Sequence, residues 1–400
     1  MKLIKSMNLY IKKNIIIIIS FLIVLQPIID LIIGLSIRTN FLILYVSLIR
    51  IIILILLLYY IVFINNTKSK NILMLLLAMI GLYMIAYCIN MNFSFIELTR
   101  MLKTFYFPVL LIVFFGIFEE KDTTFDKKYL LVSLLIYSII IILGYISKTG
   151  FSSYTIAKSG TTGYFYAANE VGGIIAVILP FVFMYVFNKI NITKILYFLC
   201  IVLAILIIGT KTPFISFVLC SAYFIIKAVK KENILKVLAF NLIILVFMSI
   251  TITKTPIYKN LIIHAEYLEI SNFTEILTTP KLFDQFFLGS RLKLLNNNNN
   301  YYMQTSLNNK LLGIGYNKNK QLVEMDFFDI FYRQGIIGLL LYITIITSLF
   351  ILKPIRYEKD NLLSIILIVL IASIVGHIIM APSVSTFICY ILYSDKNKVV

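Results

Sequence analysis

The sequence predicts an all-α membrane protein that crosses a lipid bilayer about twelve times. Apolar residues make up 60% of the 400 positions and charged residues only 14%, whereas about a quarter of a soluble domain is charged. The apolar residues form blocks of about 17 to 24, the length that a helix needs to cross the hydrocarbon layer. Alternating ten-residue strands, which would indicate a membrane barrel, are absent from the sequence. Helices are therefore the only spanning structure that fits, because each satisfies its own backbone hydrogen bonds in lipid.

The apolar blocks place twelve predicted spans along the chain. They lie at residues 13–34, 41–64, 71–90, 101–118, 129–146, 168–187, 192–209, 212–228, 236–253, 335–352, 362–378 and 381–393. The last span is short, and only the turn from Gly209 to Pro213 divides the seventh span from the eighth. The first block follows basic residues but has no small-residue cleavage site, so we interpret it as a span and not as a signal peptide.

Lysine and arginine predict the orientation of the spans. With the amino terminus inside, 20 of the 36 basic residues lie in cytoplasmic segments, and nine lie in the connection 254–333. Cytoplasmic loops carry such an excess, and long loops are exempt from it. We therefore expect a multi-pass protein of the bacterial plasma (inner) membrane with both termini cytoplasmic. The net charge of +18 is scattered between spans, which favours anionic lipid headgroups over nucleic acid as its partner.

The spans divide the chain into three predicted regions. These are a nine-helix membrane region (1–253), an extracytoplasmic loop between spans nine and ten (254–334), and a three-helix region with a cytoplasmic tail (335–400). Loops as long as this one are usually functional or disordered. The apolar spacing from Leu261 to Leu268 predicts a helix lying on the membrane face. The run Asn296–Asn300 predicts a mobile tip.

Charged residues near span ends are candidates for binding, because lipid would reject them. Arg100 and Lys103 are three residues apart at the start of the fourth span and share a helix face. Two such cations attract a phosphate, although snorkelling to headgroups, with Glu97 neutralising Arg100, is equally open. Arg50 lies deeper in its span, and we expect it to pair with Asp30 of the first helix.

A second group combines small residues with isolated cations. Gly160–Gly163, Asn169 and the pair Gly172–Gly173 form a polar entrance to the sixth span. Glycines permit close approach of a ligand or of another helix, and Asn169 could equally be a helix cap. Lys211 lies in the turn before the eighth span, and Arg291 lies in the long loop. Their outward position, shared with the two cations of the fourth span, favours an anionic ligand.

The densest polar group precedes the tenth span. It contains Glu324, Asp326, Asp329 and Arg333, followed by Gly335-Ile-Ile-Gly338. A carboxylate in a partly dry site can have a raised pKa and act as a general base. A solvated acidic turn that caps the tenth helix is the open alternative.

This segment resembles the signature of the O-antigen ligase and polymerase superfamily. Ligases of that superfamily carry His, then Asn, Ser or Gln, nine residues, and Gly-x-x-Gly at the exit of a large periplasmic loop. Here Glu324 and Met325 precede nine residues and Gly335-Ile-Ile-Gly338, so the spacing matches and Glu324 replaces the histidine. Further similarities are the twelve spans, the long loop, Gly313-Ile-Gly315, Asn169 before a glycine pair, the turn Gly209–Thr212 and Gly-Ser-Arg291.

The resemblance implies a GT-C-like glycosyltransferase. The sequence has no Asp-x-Asp motif suited to a metal, which predicts a metal-independent reaction, and we expect no cofactor. The missing histidine is typical of the polymerase branch, which would join undecaprenyl-pyrophosphate-linked oligosaccharide repeat units into a capsular or O-antigen-like polysaccharide at the outer leaflet. Glu324 would be the general base, and Arg291 and Lys211 would stabilise the departing pyrophosphate. Substrate-binding roles would fall to Arg100, Lys103, Asn169, Asp326, Arg333, Gly335 and Gly338. A flippase and a chain-length regulator of the same pathway would be partners.

Three other functions stay open at this point. A ligase-like enzyme would transfer the glycan to another acceptor. A polysaccharide transporter or flippase would have a similar number of helices, although transporters usually show repeats and charges near the membrane midplane. A scaffold or sensor of the superfamily would keep its function when Glu324 is changed. His377 could replace the missing histidine as base, but we interpret it as a packed polar residue.

Overall fold

The computed structural model describes residues 2–39, 43–91, 94–121, 125–154, 159–188, 190–229, 242, 252–270, 272–316, 321–352, 359–374 and 376–394. Within these ranges the chain is helical, with isolated bridges at Phe125–Ser394 and Ser152–Thr161 and no extended strand. This confirms an all-α protein. The predicted ninth span, 236–253, lies almost wholly outside the described residues, so the count of twelve spans stays a prediction.

Eight described helices form the first part of the chain. They are α1 (Lys2–Thr39), α2 (Ile43–Tyr59, continued by a π turn Tyr60–Ile64), α3 (Lys70–Asn90), α4 (Phe95–Lys121), α5 (Lys128–Ile146), α6 (Ala168–Asn188), α7 (Ile192–Ile208) and α8 (Lys211–Val229). Of these, α1, α3, α4, α5 and α6 are long and apolar enough to cross a membrane, and α7 is shorter but apolar. Several spanning helices in one chain make this a multi-pass membrane protein.

The long connection is itself helical. It contains α9 (Pro256–Tyr267), α10 (Phe273–Thr278), α11 (Pro280–Phe283) with a π turn Asp284–Leu288, α12 (Arg291–Met303) and α13 (Leu307–Leu312). The helix predicted around Leu261 is confirmed. The mobile tip predicted at Asn296–Asn300 is wrong, because these residues lie inside α12. Asn298 is buried there, and its amide donates to the carbonyls of Leu294 (2.9 Å) and Gln321 (3.1 Å).

Three helices complete the chain. They are α14 (Asp326–Leu352), α15 (Lys359–Ile374) and α16 (Pro382–Leu392). Helix α14 begins nine residues before the predicted tenth span and is interrupted at Gly335, whose φ is 69° and ψ −175°. The predicted eleventh span extended to residue 378, but α15 ends at Ile374. His377 therefore lies in the connection to α16, outside the helix.

Helix α6 is the centre of the bundle. All residues from Val171 to Phe183 are buried, and α6 packs against α5, α7, α8, α15 and α16. A helix that is apolar on every side needs such an enclosure. Its polar first turn, with Asn169 and Glu170, is left at one end of the bundle, where the connections before α14 and α16 also arrive.

The ion pair predicted between the first two helices is confirmed. The Arg50 guanidinium lies 2.6 Å from Asp30. The Asp30 carboxylate also accepts hydrogen bonds from Tyr137 and, at 2.8 Å, from Gln26. A buried charge is tolerated when it is paired and hydrogen-bonded, so we assign these two residues to the structure of the bundle.

Candidate active site

Residues from three distant parts of the chain meet around Gly376. A Cβ atom added to this glycine would lie 3.5 Å from Nη2 of Arg291, 3.6 Å from Nδ2 of Asn169 and 4.0 Å from the carbonyl oxygen of Glu324. The structure thus brings the start of α12, the first turn of α6 and the segment before α14 together at the connection before α16. The φ of Gly376 is 116°, a value that suits glycine because glycine has no Cβ to clash.

Arg291 and Glu324 form an ion pair at the centre of this site. Nη2 of Arg291 lies 3.1 Å from Oε2 of Glu324. The arginine side chain is 11% exposed, whereas the glutamate side chain is 50% exposed. Arg291 is the first residue of α12 and follows Gly289 and Ser290, both of which have left-handed backbones. The Glu324 carboxylate therefore lies at the protein surface, in contact with the nearly buried guanidinium of Arg291.

Asp329 holds the backbone at Glu324. Its Oδ1 accepts from the N–H of Val323 (2.8 Å), and its Oδ2 accepts from the N–H groups of Glu324 (2.9 Å) and Met325 (3.3 Å). These bonds satisfy the N–H groups of the three residues that immediately precede α14. They also stabilise the φ of 62° at Glu324, a value that non-glycine residues rarely adopt. The buried carboxylate of Asp329 thus fixes the backbone that carries the exposed carboxylate of Glu324.

Asp326 holds the connection that carries His377. Its Oδ2 accepts from the N–H groups of Ile378 (2.8 Å) and Ile379 (2.7 Å). Since Asp326 and Asp329 are both fully buried, the alternative of a solvated acidic turn is wrong for them. Their carboxylates tie two connections to the first turn of α14.

His377 faces the same two carboxylates. Its Nδ1 lies 3.5 Å from Oδ1 of Asp326 and 3.8 Å from Oδ2 of Asp329, and its side chain is 27% exposed. Burial lowers the pKa of His377, but contact with Asp326 and the negative charges of both aspartates raise this pKa above its ordinary value. His377 is partly buried, as expected, and it is also a titratable group beside the Arg291–Glu324 pair.

Lys211 adds a second cation. It is the first residue of α8 and precedes the predicted span 212–228. Its ammonium donates to the carbonyl of Phe286, lies 4.4 Å from the centre of the Phe286 ring and 3.5 Å from Nδ1 of His264. Burial, and then the positive charge of Arg291, lower the pKa of Lys211 to about 8. Arg291 and Lys211 are therefore close enough to repel each other, as two cations that share one anionic ligand would be.

The cations of α4 reach neighbouring parts of the site. Nζ of Lys103 lies 3.6 Å from the Glu170 carboxylate in the first turn of α6, and the charge of Lys103 acts on the pKa of His377. Arg100 is exposed and lies over the ring of Tyr316 at 5.6 Å. Asn169 is exposed beside Glu170. Because α6 begins at Ala168, Asn169 is inside the first turn and not at the cap position.

Arg333 lies deeper and is buried. Its guanidinium donates to the carbonyls of Gly315 (3.0 Å) and Gln321 (3.0 Å) and to Oδ1 of Asn298 (3.3 Å). These bonds connect α12, the segment after α13 and the start of α14. The structure thus uses Arg333 to hold three segments of the loop together.

The glycines of the motif pack against protein. A Cβ atom at Gly335 would lie 2.4 Å from the carbonyl oxygen of Leu311, and one at Gly313 would lie 2.1 Å from the carbonyl oxygen of Arg333. Both have positive φ, 69° and 99°. A Cβ atom at Gly338 would lie 2.7 Å from the hydroxyl of Tyr83. The two glycine motifs are therefore in mutual contact, and they set the path of the chain that leads to Glu324.

Sequence reasoning missed how Asp329 and His377 act together with Glu324. The signal for His377 was present, because an ionisable residue at the end of a span is a candidate functional residue. No sequence signal showed that it would lie beside Asp326, 51 positions earlier, since that contact depends on how the connection before α16 folds onto the first turn of α14.

Comparison with known proteins gives one match. A family model described as "O-antigen ligase like membrane protein" matches residues 12–275 and 281–394, nearly the whole chain. No curated protein and no solved structure matches the chain. The matched ranges include Lys211, Arg291, Glu324 and His377, so the match covers the site as well as the helical bundle.

Proposed function

The chain belongs to the O-antigen ligase-like family of membrane proteins, whose members process glycans in the membrane, and we propose that it is a polysaccharide polymerase. It would join undecaprenyl-pyrophosphate-linked oligosaccharide repeat units into a capsular or O-antigen-like surface polysaccharide at the outer leaflet. A flippase would supply the lipid-linked units to that leaflet, and a chain-length regulator would act on the product. The observation that carries this proposal is the exposed Glu324 carboxylate beside the nearly buried cation of Arg291.

The transfer needs a proton acceptor on one substrate and positive charge on the other. The hydroxyl oxygen of the acceptor sugar attacks the anomeric carbon of the donor, and Glu324 takes the hydroxyl proton. The bond between the anomeric carbon and the phosphate oxygen breaks, and its electron pair leaves with undecaprenyl pyrophosphate. Base catalysis of this kind is worth about 10²–10⁴-fold in rate.

Arg291 and Lys211 supply the positive charge. The leaving pyrophosphate gains negative charge as the bond breaks, and fixed cations aimed at developing charge are a major source of catalysis. Lys103, Arg100 and Asn169 would hold the donor at the polar end of α6. Asp326, Arg333, Gly335 and Gly338 would support substrate binding indirectly, because their contacts shape the segments that carry Glu324 and His377.

His377 is a second candidate for the proton acceptor. We favour Glu324, because its side chain is more exposed than that of His377 and directly adjoins Arg291. The clustering of charge at one end of α6 supports an enzyme over a transporter, whose charges usually lie near the membrane midplane. Glu324 in place of the ligase histidine supports polymerisation over transfer to another acceptor.

The test compares Glu324→Gln with the wild type in a host that lacks the gene. After membrane levels are matched, extracted surface polysaccharide is separated on a gel. We expect a ladder of repeats from the wild type and single lipid-linked units from Glu324→Gln. Glu269→Gln, an exposed glutamate elsewhere in the same loop, is the matched control and should give the full ladder.

The other outcomes are equally informative. A full ladder from Glu324→Gln and none from His377→Gln would move the base to His377. A normal ladder from both variants would contradict the mechanism. Lipid-linked units that collect on the cytoplasmic face of cells lacking the gene would favour a transporter. Glycan attached to a different acceptor, without a ladder, would favour a ligase.

A further inference from the structure

A separate cleft lies on the far side of α9 from Lys211. It has a volume of about 650 Å³, and its walls are the end of α5 with the turn that follows it, the loop around Gly160, the turn before α9, and one side of α9. Three lysines line it, Lys148, Lys254 and Lys259. The reaction proposed above assigns no role to this cleft.

The cleft is strongly basic. Glu266 is the one acidic residue in its lining, against three lysines. Among the described residues, none of the three lysines has an ion-pair partner. Pro256, the first residue of the 12-residue helix α9, also lies in the wall, so the positive end of the helix dipole adds to the charge. These features favour an anionic ligand.

Lys148 occupies a backbone position that suits glycine. Its φ is 57°, and it ends α5 with a hydrogen bond from its N–H to the carbonyl of Tyr145 at 3.2 Å. Glycine is the usual residue at such left-handed helix ends. The neighbouring backbone is held in place, because the N–H of Phe151 donates to the carbonyl of Gly163 at 2.6 Å. A lysine kept in a strained position at a cleft points to a function for its side chain.

The remaining lining suits sugar rings. Tyr145 and Tyr258 are exposed, as is Ile262, and all three line the cleft. Aromatic rings combine an apolar face with a polar hydroxyl, which matches the apolar face and hydroxyl groups of a saccharide. Clefts of roughly 300–1,000 Å³ hold small ligands in other proteins, so a short oligosaccharide fits here.

We propose that this cleft binds a negatively charged segment of the glycan chain, in which sugars carry carboxylate or phosphate groups. The inference rests on the proposed polymerase function and adds that the polymer is acidic. Helix α9 connects the two sites. Asn260 donates to the carbonyl of Gly209 (3.2 Å) and His264 contacts Lys211 (3.5 Å) on one side of the helix, while Lys259 lines the cleft on the other. A single helix, roughly 10 Å across, therefore separates the cleft from the active-site cation.

Binding to the detergent-solubilised full-length protein tests this inference. The probes are an oligogalacturonate, which carries carboxylates, and a neutral dextran of the same length, and isothermal titration calorimetry gives the two affinities. We expect the wild type to bind the acidic oligosaccharide and to bind dextran at least about tenfold more weakly. Lys148→Gln, Lys254→Gln and Lys259→Gln combined should weaken binding of the acidic probe by about tenfold, since exposed ion pairs contribute modestly and add up.

A second triple variant separates the cleft from the net charge. Lys281→Gln, Lys293→Gln and Lys310→Gln combined remove three positive charges from parts of the long loop that do not line the cleft, and they should leave the affinity unchanged. Equal affinity of the cleft variant and this control, or equal binding of the two probes, would overturn the inference. A lipid site would also overturn it: the wild type would bind neither probe but would retain phosphatidylglycerol through purification, and the cleft variant would lose it.

The proposed function is judged separately. A wild type that binds the acidic probe but produces no ladder of repeats in cells would preserve the binding site and remove the polymerase proposal. A wild type that produces the ladder without binding the probe would support the polymerase proposal and overturn the binding site in the cleft.

Discussion

The lowered pKa of Lys211 predicts how the reaction depends on pH. Burial and the charge of Arg291 bring this pKa from 10.5 to about 8. If the ammonium stabilises the leaving pyrophosphate, only its protonated form is effective. Because a lysine loses its charge as pH rises through its pKa, the wild-type rate should fall above pH 8, well before an ordinary lysine would titrate.

The size of the fall follows from the same value. A group with a pKa of about 8 is roughly 90% protonated at pH 7 and roughly 10% protonated at pH 9. We therefore expect kcat/KM to decrease about tenfold between these two pH values. Lys211→Arg keeps its charge throughout, since arginine titrates only above about pH 12. The variant should lose the fall between pH 7 and 9, even if altered geometry makes it slower at pH 7.

The assay measures initial rates of polymer formation from pH 6 to 10 with purified enzyme. The substrate is the lipid-linked repeat unit extracted from cells that lack the gene. Lys211→Gln should be slow at every pH. Lys281→Arg makes the same exchange at an exposed lysine away from the site and should reproduce the wild-type profile. A wild-type rate that stays level to pH 9, or a Lys211→Arg profile that still falls near pH 8, would refute the reasoning.

Two further predictions concern the segments that support the site. Gly313→Ala should destabilise the protein by about 3 kcal/mol or more, because it combines a positive φ with a Cβ 2.1 Å from the carbonyl oxygen of Arg333. Thermal unfolding in detergent measures the change, and the control is Gly81→Ala, whose added Cβ meets no atom within 4 Å. Equal unfolding midpoints for the two variants would contradict the prediction. Asp329→Ala should lower the initial rate at least about tenfold, since three N–H groups around Glu324 lose their acceptor. Asp329→Asn keeps an acceptor oxygen and should retain more activity. Equal rates for the two variants would show that these bonds do not position the base.

The helical bundle was predictable because membrane spans obey a length rule that acts on each segment alone. Helices α3, α5, α6 and α7 begin and end within one residue of their predicted spans. The rule fails where polar residues extend a helix beyond the hydrocarbon. It could not show that α14 starts at Asp326, because that turn is polar and is buried by other parts of the loop.

The asparagine run shows why local composition was misleading in the loop. Five consecutive asparagines are typical of a disordered tip, since they bury little apolar surface. In the structure Asn298 accepts from Arg333, 35 positions away, and donates to Gln321. The order of this helix therefore depends on partners that sequence patterns do not connect.

The three carboxylates before α14 had similar sequence surroundings but have different environments. Asp326 and Asp329 are fully buried and accept five hydrogen bonds from backbone N–H groups. Glu324 is half exposed, and its side chain pairs with Arg291. The two aspartates thus hold the backbone around position 324 through hydrogen bonds that do not involve the Glu324 side chain. By the same reasoning, Glu324→Gln removes the basic group and the charge that pairs with Arg291 but leaves the five backbone hydrogen bonds in place. Loss of polymer in that variant would therefore report on the chemistry of the site and not on folding.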